Sequence, residues 1–145
     1  MAVKASKLGP GILTIKLDEG GEKKFEGQVT SITWEPDYQT EDPIPVLSGD
    51  TYQAPGALTS KITGEMLQDY LADSLLKYCY DNRGKTGSFE FVPSKEGALK
   101  IAGNLMVTPV GIGGDLNKTN TISFEFPVVG DPEITLDYDA AAHVI

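Results

Sequence analysis

Apolar and polar residues alternate in short runs along most of this chain, the period of two that sends successive side chains to opposite faces of a strand. Ile12, Leu13, Thr14, Ile15, Lys16 and Leu17 open the series and run into a turn at Gly20 and Gly21. Between Gln28 and Glu35, Thr30, Ile32 and Trp34 fall on one face, and Val29, Ser31, Thr33 and Glu35 on the other. Leu58, Ser60 and Ile62 then alternate with Thr59, Lys61 and Thr63 up to Gly64. Later runs start at Ser88, Ala98 and Thr119, and a short last one lies between Glu133 and Tyr138. One stretch changes period. Leu67, Leu71, Leu75 and Tyr78 recur at spacings of three and four, which predicts an amphipathic helix beginning at about Glu65 and ending at about Asn82, with Gly84 as its stop. Six to seven strands and one flanking helix predict a mainly β (α+β) domain, an antiparallel β-sandwich or barrel.

Periodicity disappears from residues 36–55. The stretch holds Pro36, Pro43, Pro45 and Pro55 with the acids Asp37, Glu41, Asp42 and Asp50. A loop of about 20 residues is uncommon inside a compact domain and is usually functional or disordered. Tyr38, Ile44, Val46, Leu47 and Tyr52 weigh against disorder, because disordered segments are poor in such groups. The stretch reads as a loop that orders against a partner.

At 145 residues the chain is long enough for one domain with its own core. Twelve Lys and Arg against 21 Asp and Glu leave a net charge of −9, which argues against a surface built to grip phosphates. No apolar run approaches the roughly 20 residues of a membrane span, and the start of the chain lacks the apolar stretch of a signal peptide. The expectation is a soluble product made in the cytosol.

The catalytic inventory is thin. Cys79 stands alone, His143 is three residues from the C-terminus, and a Cys–His pair between them is improbable. Asp69 and Asp73 lie four apart but have no third ligand at a helical spacing, so they read as a solvated face. Gly111, Gly113 and Gly114 invite comparison with a phosphate loop, yet Asp115 follows where such loops carry a helix and a lysine. A turn is the better reading. No enzyme, metal or cofactor is expected.

The strand faces opposite the core are unusual. They read Ser31, Thr33, Thr59, Thr63, Ala102, Asn104, Thr108, Thr121 and Ser123, with only Glu35, Lys61, Lys100 and Glu125 charged. Sheets with bare edges and so little charge are liabilities unless another copy covers the edges. Strands from several copies closed into one large barrel would remove those edges and leave the polar face lining a water-filled bore.

From about Leu47 to Pro132, more than half of the chain, a series of short words follows in order: Leu47-Ser48-Gly49-Asp50, Gln68-Asp69, Asn82-Arg83-Gly84 and Phe89-Glu90-Phe91-Val92-Pro93, then Gly103, Pro109 and Ile112-Gly113-Gly114-Asp115, and lastly Phe124-Glu125-Phe126-Pro127 and Val129-Gly130-Asp131-Pro132. In order and spacing they resemble the major tail tube proteins of long-tailed, non-contractile bacteriophages. Ser94 departs from the asparagine expected there, and the strand before the helix lacks the family's frequent tryptophan. The resemblance implies a β-sandwich with one helix, six copies per ring, and rings stacked into a hollow tube that conducts genomic DNA. It implies a virion protein made in the bacterial cytoplasm, meeting itself and the tape-measure, tail terminator and tail tip proteins, with DNA passing unbound and no membrane involved.

On that basis Asp37, Tyr38, Glu41, Asp42, Ile44, Val46 and Leu47 are expected to touch neighbouring subunits, with residues 1–9 as an N-terminal arm and 131–145 as a C-terminal tail. Glu35, Lys61, Lys100, Asn104, Ser123 and Glu125 are the candidates for the lumen. Alternatives are a tail terminator ring, a type VI secretion tube protein, or, from a different class, a monomeric carbohydrate-binding sandwich using Trp34, Tyr38 and Tyr52 as a stacking platform.

Overall fold

The computed structural model describes residues 4–18, 21–71, 74–136 and 138. Nine strands and one helix follow in the order β1 (Ile12–Leu17), β2 (Glu22–Lys24), β3 (Val29–Gln39), β4 (Ile44–Pro45), β5 (Thr51–Tyr52), β6 (Ala57–Leu67), α1 (Leu75–Asp81), β7 (Thr86–Val92), β8 (Lys100–Met106) and β9 (Thr121–Thr135). Seven of the strands form one sheet in the order β2-β1-β7-β8-β9-β6-β3, and every pairing is antiparallel. The sheet curls over a single core, because residues from both of its halves bury together: Leu13 and Ile15 from β1, Phe89 and Phe91 from β7, and Ile62, Phe124 and Phe126 from β6 and β9. The expected antiparallel β-sandwich with one helix is the architecture observed.

Strand alternation explains the layout. In β9, Phe124 and Phe126 are buried while Ser123 and Glu125 between them are exposed. Phe25, fully buried in the β2–β3 connection, meets Phe126 edge-on at 6.1 Å and Tyr78 of α1 at 5.9 Å. Edge-to-face pairs of this kind add to the area term of burial. A bulge interrupts the β8–β9 ladder, where Ala102 pairs with Glu133 but Asn104 with Val129. Gly130 takes up the extra length at φ 74°, a left-handed conformation open to glycine at little cost.

The helix is shorter than its periodicity suggests, and it starts ten residues later. Glu65, Met66 and Leu67 are the end of β6, paired with Ser123, Ile122 and Thr121 of β9, and Met66 is fully buried. Cross-strand pairing thus overrides a helical spacing that those leucines meet by coincidence. Asp69 then accepts a hydrogen bond from the Leu71 N–H (2.9 Å), a turn geometry that competes with a helix, and Leu71 is exposed rather than part of an apolar stripe. The helix begins where Ser74 caps it, its hydroxyl accepting from the Leu76 N–H (3.1 Å), and it buries Leu75, Leu76 and Cys79. Asn82 closes the far end with both its backbone and its side-chain N–H groups on the Tyr78 carbonyl (3.1 and 2.8 Å).

Residues 36–55 are also more regular than expected. β3 runs on to Gln39 and β6 begins at Ala57, so the first part of the stretch is a paired ribbon, with Asp37 opposite Thr59 and Gln39 opposite Ala57. β4 and β5 pair beyond it as a small hairpin, Ile44 opposite Tyr52. Pro36 is tolerated because β3 is the last strand of the sheet and has a free edge. The last strand expected from Glu133 is the continuation of β9, and the ends of the anticipated arm and tail, residues 1–3 and 139–145, lie outside the described residues, as do His143 and Asp73.

Candidate functional surfaces

The polar faces of β3, β6 and β9 form the floor of a broad trough, with residues 108–111 along one side. Register brings its charges together. Glu35 lies opposite Lys61 on the β3–β6 pair, and Thr63 lies opposite Glu125 on the β6–β9 pair. The Lys61 ammonium sits 3.0 Å from Glu125 and 3.8 Å from Glu35, and Thr63 donates its hydroxyl to Glu35 at 3.1 Å. The hydrogen bond and charge of Glu125 raise the Lys61 ammonium above its usual range against an opposing desolvation, with lesser help from Glu35 and Asp37. All three side chains are substantially exposed, so the arrangement organises charge more than it stabilises the fold.

Four acids line the trough, Glu35, Asp37, Glu65 and Glu125, against the single base Lys61. Of the six residues expected along a lumen, Glu35, Lys61, Ser123 and Glu125 meet here. Lys100 and Asn104 stand apart on β8, on the side away from the buried Ile101 and Leu105 and outside the trough lining. Glu65 and Asp37 belong to the trough as well. Sequence reasoning placed Glu65 in the helix and Asp37 in the loop, and only strand pairing reveals that they flank the same surface.

The second surface is the ribbon and its hairpin. Its backbone is braced from within: the Gly56 N–H donates to the Tyr38 hydroxyl (2.8 Å), and the Gln53 amide donates to the Glu41 carbonyl (2.7 Å). At the tip the Val46 N–H donates to the Asp50 carbonyl (2.9 Å), Gly49 adopts φ 96°, and Ser48 donates to Asp50 (3.0 Å). These bonds hold an apolar set in water. Tyr38, Ile44, Val46 and Tyr52 are each about half exposed, and Leu47 at the turn is exposed as fully as in an extended chain. Apolar groups held out together in this way are costly in a lone molecule.

At the end of β6 a third feature escaped sequence reasoning. Gln68 clasps the β8–β9 connection, its amide donating to the Gly113 carbonyl (2.6 Å) while its carbonyl accepts from the Gly113 N–H (2.9 Å). Asn120 does the same for Asp115, accepting from its N–H (3.1 Å) and donating to its carbonyl (3.0 Å). The glycine run is therefore a clasped loop whose Gly113 and Asp115 amides are already taken, which removes the geometry of an anion nest. Tyr70, Leu71, Ile112 and Leu116 stand exposed around it.

Residues weighed for other chemistry are accounted for. Cys79 is buried and its thiol pushed up to about 12 by desolvation, the opposite of an activated nucleophile. Trp34 is half-buried against the core, whereas Tyr38 and Tyr52 are exposed. Among the described residues, no three His, Cys, Asp or Glu side chains are placed to hold a metal ion.

No protein-family model and no curated protein sequence matches the chain. Solved structures do. A chain in the virion of a native gene transfer agent particle superposes with a TM-score of 0.60 at 18% identity, over 85% of this chain and 95% of that one. A chain in the tail of an empty gene transfer agent particle, refined with C6 symmetry, superposes with a TM-score of 0.62 at 14% identity, over 92% of this chain and 99% of that one. At these identities the likeness is one of fold, and it extends over nearly the whole of each chain.

Proposed function

We propose that the chain is a structural subunit of a phage-like tail, which assembles with itself into six-membered rings stacked as a hollow tube that conducts DNA into a host. The braced hairpin carries this reading: a small domain with a fully exposed leucine on a rigid arm is built to be completed by another copy. Two things support it further. The whole-length fold likeness is to a chain of a sixfold tail, and the ordered words of the sequence resemble major tail tube proteins of non-contractile phages.

In this reading the trough of β3, β6 and β9 faces the lumen with Glu35 and Glu125, and the net charge of −9 repels the passing DNA so that it does not bind. The arm residues Asp37, Tyr38, Glu41, Asp42, Ile44, Val46 and Leu47 contact neighbouring subunits, the protein resides in the virion, and tape-measure, terminator and tip proteins are its partners in the tail. A tail terminator would share the fold but stop at one ring.

Negative-stain microscopy of the concentrated protein separates these readings. Tubes support a tube subunit, isolated rings a terminator, and a monomer at every concentration overturns both. Deleting residues 42–47 should leave a folded monomer that forms no tubes, because the hairpin contributes nothing to the core; normal tubes from that variant would remove the arm from the interface. A tube structure with Glu35 and Glu125 on the outer wall would refute the lumen assignment.

A further inference from the structure

A cavity of about 190 Å³ opens where the curled sheet fails to close on itself, between the segment leading into β1 and the start of β3. Its lining includes Leu8, Ile12, Val29, Ile32, Phe91 and Pro93. An apolar cavity of about 150 Å³ accepts a benzene-sized group, so this one has room for a branched aliphatic side chain. Glu26 also lines it, with one carboxylate oxygen buried and without a hydrogen-bond partner among the described residues.

We infer that this cavity receives Leu47 from the hairpin tip of a second copy. The inference rests on the self-assembly reading and adds the receiving site. Three relationships point to that occupant. Leu47 is the most exposed large apolar side chain of the described residues, and it stands at the tip of the hairpin turn.

The charges match as well. Residues 36–56 carry Asp37, Glu41, Asp42 and Asp50 and no base. Two lysines adjoin the lining along the chain or through the backbone: Lys7 precedes Leu8, and the Lys95 N–H donates to the Pro10 carbonyl (2.8 Å).

Position decides the geometry. The cavity touches β3 at Val29 and Ile32, whereas the arm leaves β3 at Gln39, so knob and hole lie at opposite ends of one strand. The seven residue steps from Ile32 to Gln39 span about 23 Å at ~3.3 Å each, and the hairpin extends beyond them. A knob at one pole and its hole at the other make a heterologous, head-to-tail contact, which repeats along an axis instead of closing as a dimer.

The test mixes two full-length single variants, Leu47→Cys and Leu8→Cys, in assembled material under mild oxidation. Both positions are exposed, so each variant should fold, and the native Cys79 is buried and unreactive. A disulfide-linked heterodimer formed in the mixture, and absent when Leu47→Cys is mixed with Ser123→Cys in the trough, is the expected result. Tubes that form without the 47–8 cross-link, or that cross-link 47 to 123 instead, overturn this inference while leaving the self-assembly reading intact. Absence of assembly by the wild-type chain overturns both.

Discussion

The Lys61 ammonium lies 3.0 Å from the Glu125 carboxylate across the β6–β9 pair, in the middle of a surface where every other charged side chain is an acid. Because the pair is exposed, its loss should leave the fold almost untouched and change the surface potential instead. Lys61→Ala should melt at nearly the wild-type temperature yet run as a more acidic species in isoelectric focusing. A fall of the midpoint by about 5 °C or more, the size of a change near 1 kcal/mol in a small domain, would show that the bridge stabilises the fold after all.

Gly64 has a steric role. A Cβ there would run into the Ser31 carbonyl and come within 3.0 Å of the Ile32 Cα, both backbone atoms of the neighbouring strand. Gly64→Ala should therefore cost about 1–3 kcal/mol, the usual range for forced overpacking, measured by urea unfolding. An unchanged unfolding midpoint would mean that β3 yields without cost.

Gln68 is the clasp of the β8–β9 connection. Removing it in Gln68→Ala leaves the Gly113 N–H and carbonyl to solvent, so the loss of global stability should stay at about 1 kcal/mol per bond or less. The local effect should be larger. Hydrogen exchange at residues 111–116 should speed up while that of β1 and β7 stays unchanged, and equal acceleration everywhere would contradict a local clasp.

Phe126 sits at the centre of the core, fully buried, edge-on to Phe25 and 5.3 Å from the Phe124 ring. Phe126→Ala should cost about 3–5 kcal/mol by lost transfer and cavity energy, which approaches the whole stability of many small domains. Circular dichroism would show a largely unfolded monomer at physiological temperature.

Alkaline pH should loosen the fold through the helix. Burial raises the Cys79 thiol from 9.0 to about 12, so the folded state holds this proton more tightly than the unfolded chain does. Its contribution is complete below pH 9 and is lost as pH rises through about 12, with a slope of up to about 1.4 kcal/mol per pH unit. Tyr78, raised by desolvation, and Lys61, raised by Glu125, act in the same direction. Cys79→Ala should flatten the fall between pH 9 and 11 in denaturant titrations at stepped pH. It should also abolish the thiol signal, which in the wild type should appear with thiol reagents only on unfolding.

Much of the strand content was legible because alternation is a local property. Ile12 to Leu17, the Phe89 and Phe91 pair, and Phe124 with Phe126 announce their inward faces without reference to any other part of the chain. The words that suggested a tail tube protein also prove to have structural work: Leu47 to Asp50 is the hairpin turn, Gln68 the clasp, Asn82 the helix cap, and Gly130 the bulge of β9. Their spacing is set by such geometry.

The helix start was illegible for the opposite reason. Leu67 and Leu71 carry helical spacing, but Glu65 to Leu67 gain more by pairing with β9 and burying Met66 than a helix would return, and that partner lies more than 50 residues away. By itself, the sequence determined the β class, the polar character of one strand face, the acidic balance and a proline-rich stretch that carries apolar groups, since each is written in neighbouring residues. Only the tertiary structure decided that the arm is a braced ribbon, that Glu35, Lys61, Glu65 and Glu125 share one trough, and that a cavity lies at the pole opposite Leu47. These depend on strand order and register, and register is set by long-range packing that no local pattern encodes.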